Sequence, residues 1–143
     1  MANTYSKIYI HVIFAVKHRE SLLSKDWREQ VYKYIAVTIN SRGQKCFIIN
    51  GTETHIHILL GMKPNICLND LIRDIKNTST NFINQRILKR KVFNWQESFS
   101  SFSCSQSLLD KVYKYIENQE EHHRVKTFKE ECIAFYKKYN IDY

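Results

Sequence analysis

The chain has 143 residues, 22 of them Lys or Arg against 14 Asp or Glu, for a formal charge of +8. That length points to one domain with one core, and only three Gly and one Pro exclude long flexible linkers. The excess of cations favours a polyanionic partner, most simply nucleic acid, and no apolar run approaches the ~20 residues needed to span a bilayer.

Four cysteines, Cys46, Cys67, Cys104 and Cys132, are too scattered for a zinc knuckle or a Cys-x-x-Cys redox pair. Residues 1–7 lead into a strand rather than a signal peptide. The expectation is a cytoplasmic protein with reduced thiols.

Residues 5–16 alternate with period two and predict a first strand. Ile8, Ile10, Val12, Phe14 and Val16 form one apolar face, and Tyr9, His11 and Ile13 line the other. A polar break at 17–21 precedes a helix over 24–41, with Trp27, Val31, Tyr34, Ile35 and Thr38 at helical spacing and Gly43 just past its end. Residues 44–50 read as a second strand, and Asn50-Gly51 as a hairpin turn into a third strand over 54–62. Lys63-Pro64-Asn65 ends that strand.

A basic amphipathic helix is predicted over 68–89, burying Leu71, Ile75, Phe82 and Ile83. A short fourth strand follows near 98–103. Ser105 or Ser107 then caps a helix running to about 121, and Thr127 opens a last helix over 127–139. The order β-α-β-β-α-β plus C-terminal helices predicts an α+β, ferredoxin-like fold: an antiparallel sheet with its helices on one face.

The third strand carries the chemistry. In Thr54-His55-Ile56-His57-Ile58-Leu59-Leu60 the two histidines share one face, while Ile56, Ile58 and Leu60 share the other. Two parallel imidazoles on a rigid strand suit a metal ion. Sixty residues on, Tyr115 and Gln119 stand four apart in a helical stretch and share a face. A phenolic oxygen can act as a nucleophile, and an amide oxygen is a hard ligand for Mg²⁺ or Mn²⁺. Tyr113 is a rival nucleophile, with Glu117 as its own i+4 partner. His11 reads either as support for the site or as a structural histidine. His122 and His123 read as a solvated helix end, and Phe93, Trp95 and Phe99 as core rather than base-stacking groups.

These residues resemble a known family. His55-Ile56-His57 is similar to the His-hydrophobe-His motif of the HUH nucleases, and Tyr115-Ile116-Glu117-Asn118-Gln119 to the Tyr-x-x-x-Gln element of the single-tyrosine, insertion-sequence-200-like transposases. Tyr9-Ile10-His11-Val12-Ile13-Phe14 resembles the family's opening strand. Gln119-Glu120-Glu121-His122-His123-Arg124 and Thr127-Phe128-Lys129-Glu130-Glu131 resemble its tail. One departure is the stretch Glu97-Ser98-Phe99-Ser100-Ser101, where relatives commonly have glycines.

The resemblance implies cleavage and rejoining of single-stranded DNA at hairpin-bearing element ends through a 5′-phosphotyrosine intermediate. It needs a divalent Mg²⁺ or Mn²⁺ ion and no nucleotide cofactor, and it implies a homodimer. Residue by residue, it implies Tyr115 as catalytic nucleophile and His55, His57 and Gln119 as metal ligands. For DNA contacts the basic candidates are Lys17, Arg19, Arg86, Lys89, Arg90 and Lys91. Two rivals stand beside this reading: a domesticated protein that binds DNA or RNA hairpins without cutting, and a hydrolytic phosphoesterase with paired histidines.

Overall fold

The computed structural model describes residues 4–19 and 22–143, with the side chains of Arg19, His123 and Arg124 outside the description. Four strands, β1 (Ile8–Ala15), β2 (Lys45–Gly51), β3 (His55–Met62) and β4 (Ser100–Cys104), form one antiparallel sheet in the order β2-β3-β1-β4. Helices α1 (Arg28–Ser41) and α2 (Leu68–Phe82) provide the two crossovers. Helices α3 (Leu109–Glu117), α4 (Gln119–Val125) and α5 (Phe128–Lys138) follow the last strand. This is the β-α-β-β-α-β order expected from the pattern.

Alternation decides the two faces. Val12, Phe14, Val16, Ile56, Ile58 and Leu60 are fully or almost fully buried in one cluster with Val31, Ile35 and Ile39 of α1 and Leu71, Ile72 and Ile75 of α2. Helices α3 to α5 cover the opposite face, where His11, His55, His57 and Phe102 project. The expectation of helices on one face therefore holds for the two crossovers, and the C-terminal helices add a third layer. They can do so because Leu59, Ile13 and Phe102 leave that face too apolar to stand in water.

Several boundaries differ from expectation for identifiable reasons. The Asn50-Gly51 pair is not the hairpin turn: both residues are still in β2, paired with His57 and Ile56, and the chain turns over residues 52–54. Gly51 is required because a Cβ there would collide with the His55 carbonyl oxygen. The amide of Asn50 is instead used to hold α3.

The predicted helix over 68–89 stops being α-helical at Phe82 and widens into a π turn, Ile83–Ile87. Asn84 explains the change, since its side chain bonds both the N–H (2.9 Å) and the carbonyl oxygen (3.0 Å) of Phe93 and draws the returning chain against the helix end. Lys89 then takes a positive φ of 55° and ends the element. Phe82 is half-buried, stacked on Tyr34 at 4.4 Å, while Leu71, Ile75 and Ile83 are in the core. Neither Ser105 nor Ser107 caps a helix; their hydroxyls bond each other, and a 3-10 turn (Gln106–Leu108) leads into α3. Thr127 does cap α5, in a reciprocal box with Glu130.

Candidate active site

His55 and His57 are fully buried at the centre of the sheet. Their Nε2 atoms converge on one carboxylate oxygen, Glu131 Oε1, at 3.3 and 3.0 Å. Glu131 stands in the first turn of α5, directly after the Thr127–Glu130 cap that sets where the helix begins. Its other oxygen, Oε2, accepts the hydroxyl of Tyr115 and, at 3.4 Å, the amide of Gln119. The carbonyl oxygen of Gln119 is 3.3 Å from His55 Nε2.

The predicted face shared by Tyr115 and Gln119 is built differently from expectation. The helix breaks at Asn118, so Tyr115 belongs to α3 and Gln119 opens α4, yet Gln119 turns back to donate to the Tyr115 carbonyl at 3.4 Å. Asn50 pins this break to the sheet by donating to the carbonyls of Ile116 and Glu117, both at 3.0 Å. Arg28 bonds Glu120 at 2.7 Å and ties α4 to the start of α1. The tyrosine and the histidines thus meet within one chain.

Charges in this cluster suit a cation. Burial raises the Glu131 carboxyl, but hydrogen bonds with His55 and His57 outweigh it and hold it well below the usual carboxylate range, so it is anionic. Burial lowers His57 below the usual imidazole value, against the pull of Glu131. Burial, then the hydrogen bond to Glu131, pushes the Tyr115 hydroxyl well above its ordinary value. The result is a buried anion beside a neutral His57, with a phenol kept protonated next to it.

The donor atoms of His55, His57 and Glu131 lie within 4.8 Å of one another, and this buried group can hold a metal ion. The His–Glu131 and His55–Gln119 separations of 3.0 and 3.3 Å match neighbouring ligands on an octahedral ion, which at ligand distances near 2.1 Å stand about 3 Å apart. The donor set of two imidazoles, one carboxylate and one amide oxygen therefore fits a divalent ion.

Glu131 is the residue that sequence reasoning missed. One carboxylate among 14 acidic residues carries no signal until α5 folds over the sheet. Its readable cues are the Thr127-x-x-Glu130 capping pattern immediately before it and its place at the end of the family-like stretch Thr127-Phe128-Lys129-Glu130-Glu131.

Other candidates fall elsewhere. Tyr113 is on the exposed side of α3, 38% accessible, and Glu117 is exposed. His122 is not a solvated end: its ring stacks on Tyr115 with centroids 4.4 Å apart. The side chain of His123 lies outside the described residues, as does that of Arg19. Phe93 and Trp95 are buried in the core, and Trp95 donates to Ser79 at 2.8 Å.

Lys17, Arg86, Lys89, Arg90 and Lys91 are exposed, but the last four follow α2, the helix on the opposite side of the sheet from Tyr115. A cleft of about 400 Å³ does reach the site, lined by His11, Tyr115 and Glu131 with Lys111, Lys126 and Lys138 around it. None of residues 97–101 has a positive φ, so this stretch takes its path without glycine, held by Lys76 donating to the carbonyls of Gln96 (2.7 Å) and Ser98 (2.9 Å).

No described helix is long and apolar enough to cross a membrane. None of the four cysteines forms a disulfide among the described residues.

Known proteins share this fold. The ISDra2 transposase TnpA of Deinococcus radiodurans is 23% identical over 116 residues, covering 78% of this chain and 83% of that protein. A solved transposase structure from Deinococcus radiodurans superposes with a TM-score of 0.68 at 20% identity, covering 83% of this chain and 95% of the other. A REP-associated tyrosine transposase bound to a REP hairpin superposes with a TM-score of 0.64 at 16% identity, covering 86% and 73%. The family model described as "Transposase IS200 like" matches residues 4–119, most of the chain and all of the sheet. The chain belongs to the IS200-like transposase family.

Proposed function

We propose that this transposase cleaves and rejoins single-stranded DNA with Tyr115 as its nucleophile, at a divalent-metal site formed by His55, His57, Gln119 and Glu131. The observation that carries this reading is the joint use of one carboxylate: Glu131 meets both strand histidines with one oxygen and the tyrosine hydroxyl with the other. Nucleophile and metal donors are thereby held one side chain apart.

The phenolic oxygen of Tyr115 attacks the phosphorus of a phosphodiester. A Tyr–O–P bond forms and the P–O3′ bond breaks, so the 5′ side stays on the enzyme and the departing oxygen takes up a proton to become a free 3′-hydroxyl. When the 3′-hydroxyl of another strand attacks the phosphotyrosine, the reverse exchange reseals DNA and returns the tyrosine. The phosphodiester bond energy is conserved in the link, so no nucleotide cofactor is required.

A bound Mg²⁺ or Mn²⁺ supplies Lewis-acid polarisation of the phosphate oxygens. Within the chain, Glu131 orients the Tyr115 hydroxyl while its charge keeps the proton in place. With its charge engaged as a metal ligand, Glu131 would hold the Tyr115 proton less firmly and so favour the phenolate. His122 stacks on the tyrosine ring and Asn50 fixes the helix end, which together restrict the nucleophile to one orientation.

The substrate we infer is single-stranded DNA with hairpins; the REP-associated neighbour is bound to a REP hairpin. The homodimer implied by the family resemblance is not needed to complete the site, since every group named here comes from one chain. Lys111, Lys126 and Lys138, around the cleft that reaches Tyr115, join the earlier basic candidates as phosphate contacts.

The test is incubation with labelled single-stranded DNA carrying the flanking element ends and Mn²⁺, followed by a denaturing protein gel. A covalent adduct that is lost in Tyr115→Phe and kept in Tyr113→Phe is the expected result. An adduct that persists in Tyr115→Phe overturns the nucleophile assignment. Free cleavage products without any adduct indicate a phosphoesterase, and hairpin binding without cleavage indicates a domesticated binder.

A further inference from the structure

The two strand histidines are held by different partners. His55 Nδ1 faces two hydroxyls, Thr52 at 3.1 Å and Thr54 at 3.0 Å, either of which can accept or donate. His57 Nδ1 faces another imidazole, His11 Nε2, at 2.8 Å. The β1–β3 register explains the contact. His57 pairs with Ile13 and Leu59 with His11, so the two histidines are diagonal neighbours on one face of the sheet. Both are buried. The His11 ring is fixed from the other side by Phe135 (centroids 5.3 Å) and Phe102 (6.2 Å), edge-on and tilted.

A metal ion on His57 Nε2 requires the lone pair there, so the His57 proton must sit on Nδ1. A buried N–H left without an acceptor loses its hydration with nothing in return, so it is costly. His11 Nε2 is an acceptor only when the His11 proton is on its own Nδ1. One hydrogen bond therefore couples the tautomers of two rings.

We propose that His11 is a positioning residue for metal binding: it accepts from His57 Nδ1–H, holds the His57 ring in plane and presents Nε2 to the divalent ion. This rests on the metal site proposed above. A neutral imidazole does this without adding a second negative charge behind the ligand, leaving Glu131 as the single anion among the donors. The presence of histidine within an otherwise apolar and aromatic strand face follows from that role, since a hydrocarbon side chain would fill the same space but accept nothing.

Mn²⁺ binding to the full chain, followed by isothermal titration calorimetry, tests the assignment. His11→Phe keeps a ring of similar size and removes the acceptor. It should weaken Mn²⁺ binding roughly 10- to 100-fold, the usual cost of losing a hydrogen-bond partner behind a metal ligand. His11→Gln, whose side-chain oxygen can accept from the same N–H, should recover most of that loss. Wild-type affinity in His11→Phe, or equal losses in Phe and Gln, overturns the proposal.

If His11→Phe does not fold, long-range ¹H–¹⁵N spectra of the wild-type chain with saturating Mg²⁺ decide it. His57 protonated at Nδ1 and His11 unprotonated at Nε2 are expected, and the reverse pair overturns the proposal. A wild-type chain with no Mn²⁺ uptake that His57→Ala can abolish overturns the metal site itself. That is a different failure from metal uptake indifferent to position 11.

Discussion

The two faces of the sheet are built from the same strands and buried to the same degree, yet they do opposite things. On one, Phe14, Ile56, Ile58 and Leu60 are fully buried against α1 and α2 in a hydrophobic cluster. On the other, His11, His55, His57, Gln119 and Glu131 are buried just as deeply under α3 to α5. Burying hydrocarbon stabilises at about 25 cal/mol per Å², whereas burying polar and charged groups costs free energy that hydrogen bonds only partly return. The apolar face supplies the stability with which the polar face can hold an anion and three imidazoles out of water. Alternation along a strand lets one segment, β3, serve both purposes.

Substitutions on each face should therefore separate stability from activity. The largest effect expected is Tyr115→Phe, which removes all covalent adduct on a denaturing gel while moving the denaturant midpoint little, since the aromatic ring and its stack on His122 remain. An equally large loss of stability would mean that the two faces are not energetically separate.

Phe14→Ala on the apolar face should cost roughly 3–5 kcal/mol in urea unfolding and leave the adduct yield per folded molecule unchanged. Glu131→Gln should abolish the stabilisation by metal, which for the wild type at a hundredfold excess over its dissociation constant is about 2.7 kcal/mol. Melting curves with Mn²⁺ and with EDTA should coincide in this variant and differ in the wild type.

Asn50→Ala frees the carbonyls of Ile116 and Glu117 and should cost on the order of 1–2 kcal/mol. Adduct formation should slow by more than that stability loss alone explains, because α3 is held to the sheet there. The smallest effect is expected from Thr127→Ala, about 1 kcal/mol, from loss of the cap on α5. Amide exchange should show it confined to the C-terminal helix, with weakened Mn²⁺ binding because Glu131 stands in the first turn.

Much of the fold was legible in local pattern. Period-two alternation marked β1 and β3 and also assigned their faces, because a strand has only two sides. The capping pattern at Thr127 placed the start of α5 to the residue. Local pattern misled where a side chain's partner is distant. Asn50-Gly51 has the composition of a turn, but Asn50 is a strand residue that bonds a helix 66 residues later, and Gly51 is there for the close passage of β3. The basic helix after Leu68 kept its amphipathic pattern past Phe82, but the bonds between Asn84 and Phe93 widened it into a π turn. His122 looked solvated beside His123 because nothing in its neighbourhood announces the ring of Tyr115.

By itself the sequence determined the strand histidines, their common face, the order of elements and the resemblance that pairs them with Tyr115 and Gln119. All of these depend on neighbours within a few residues or on motifs read in chain order. Only the tertiary structure decided that α5 folds across the histidines, that Glu131 meets both imidazoles and the tyrosine at once, and that His11 backs His57. Those contacts join residues 16 to 76 positions apart. No periodicity encodes them; they exist because the apolar residues of both sheet faces must be covered, and covering the second face brings one carboxylate into the site.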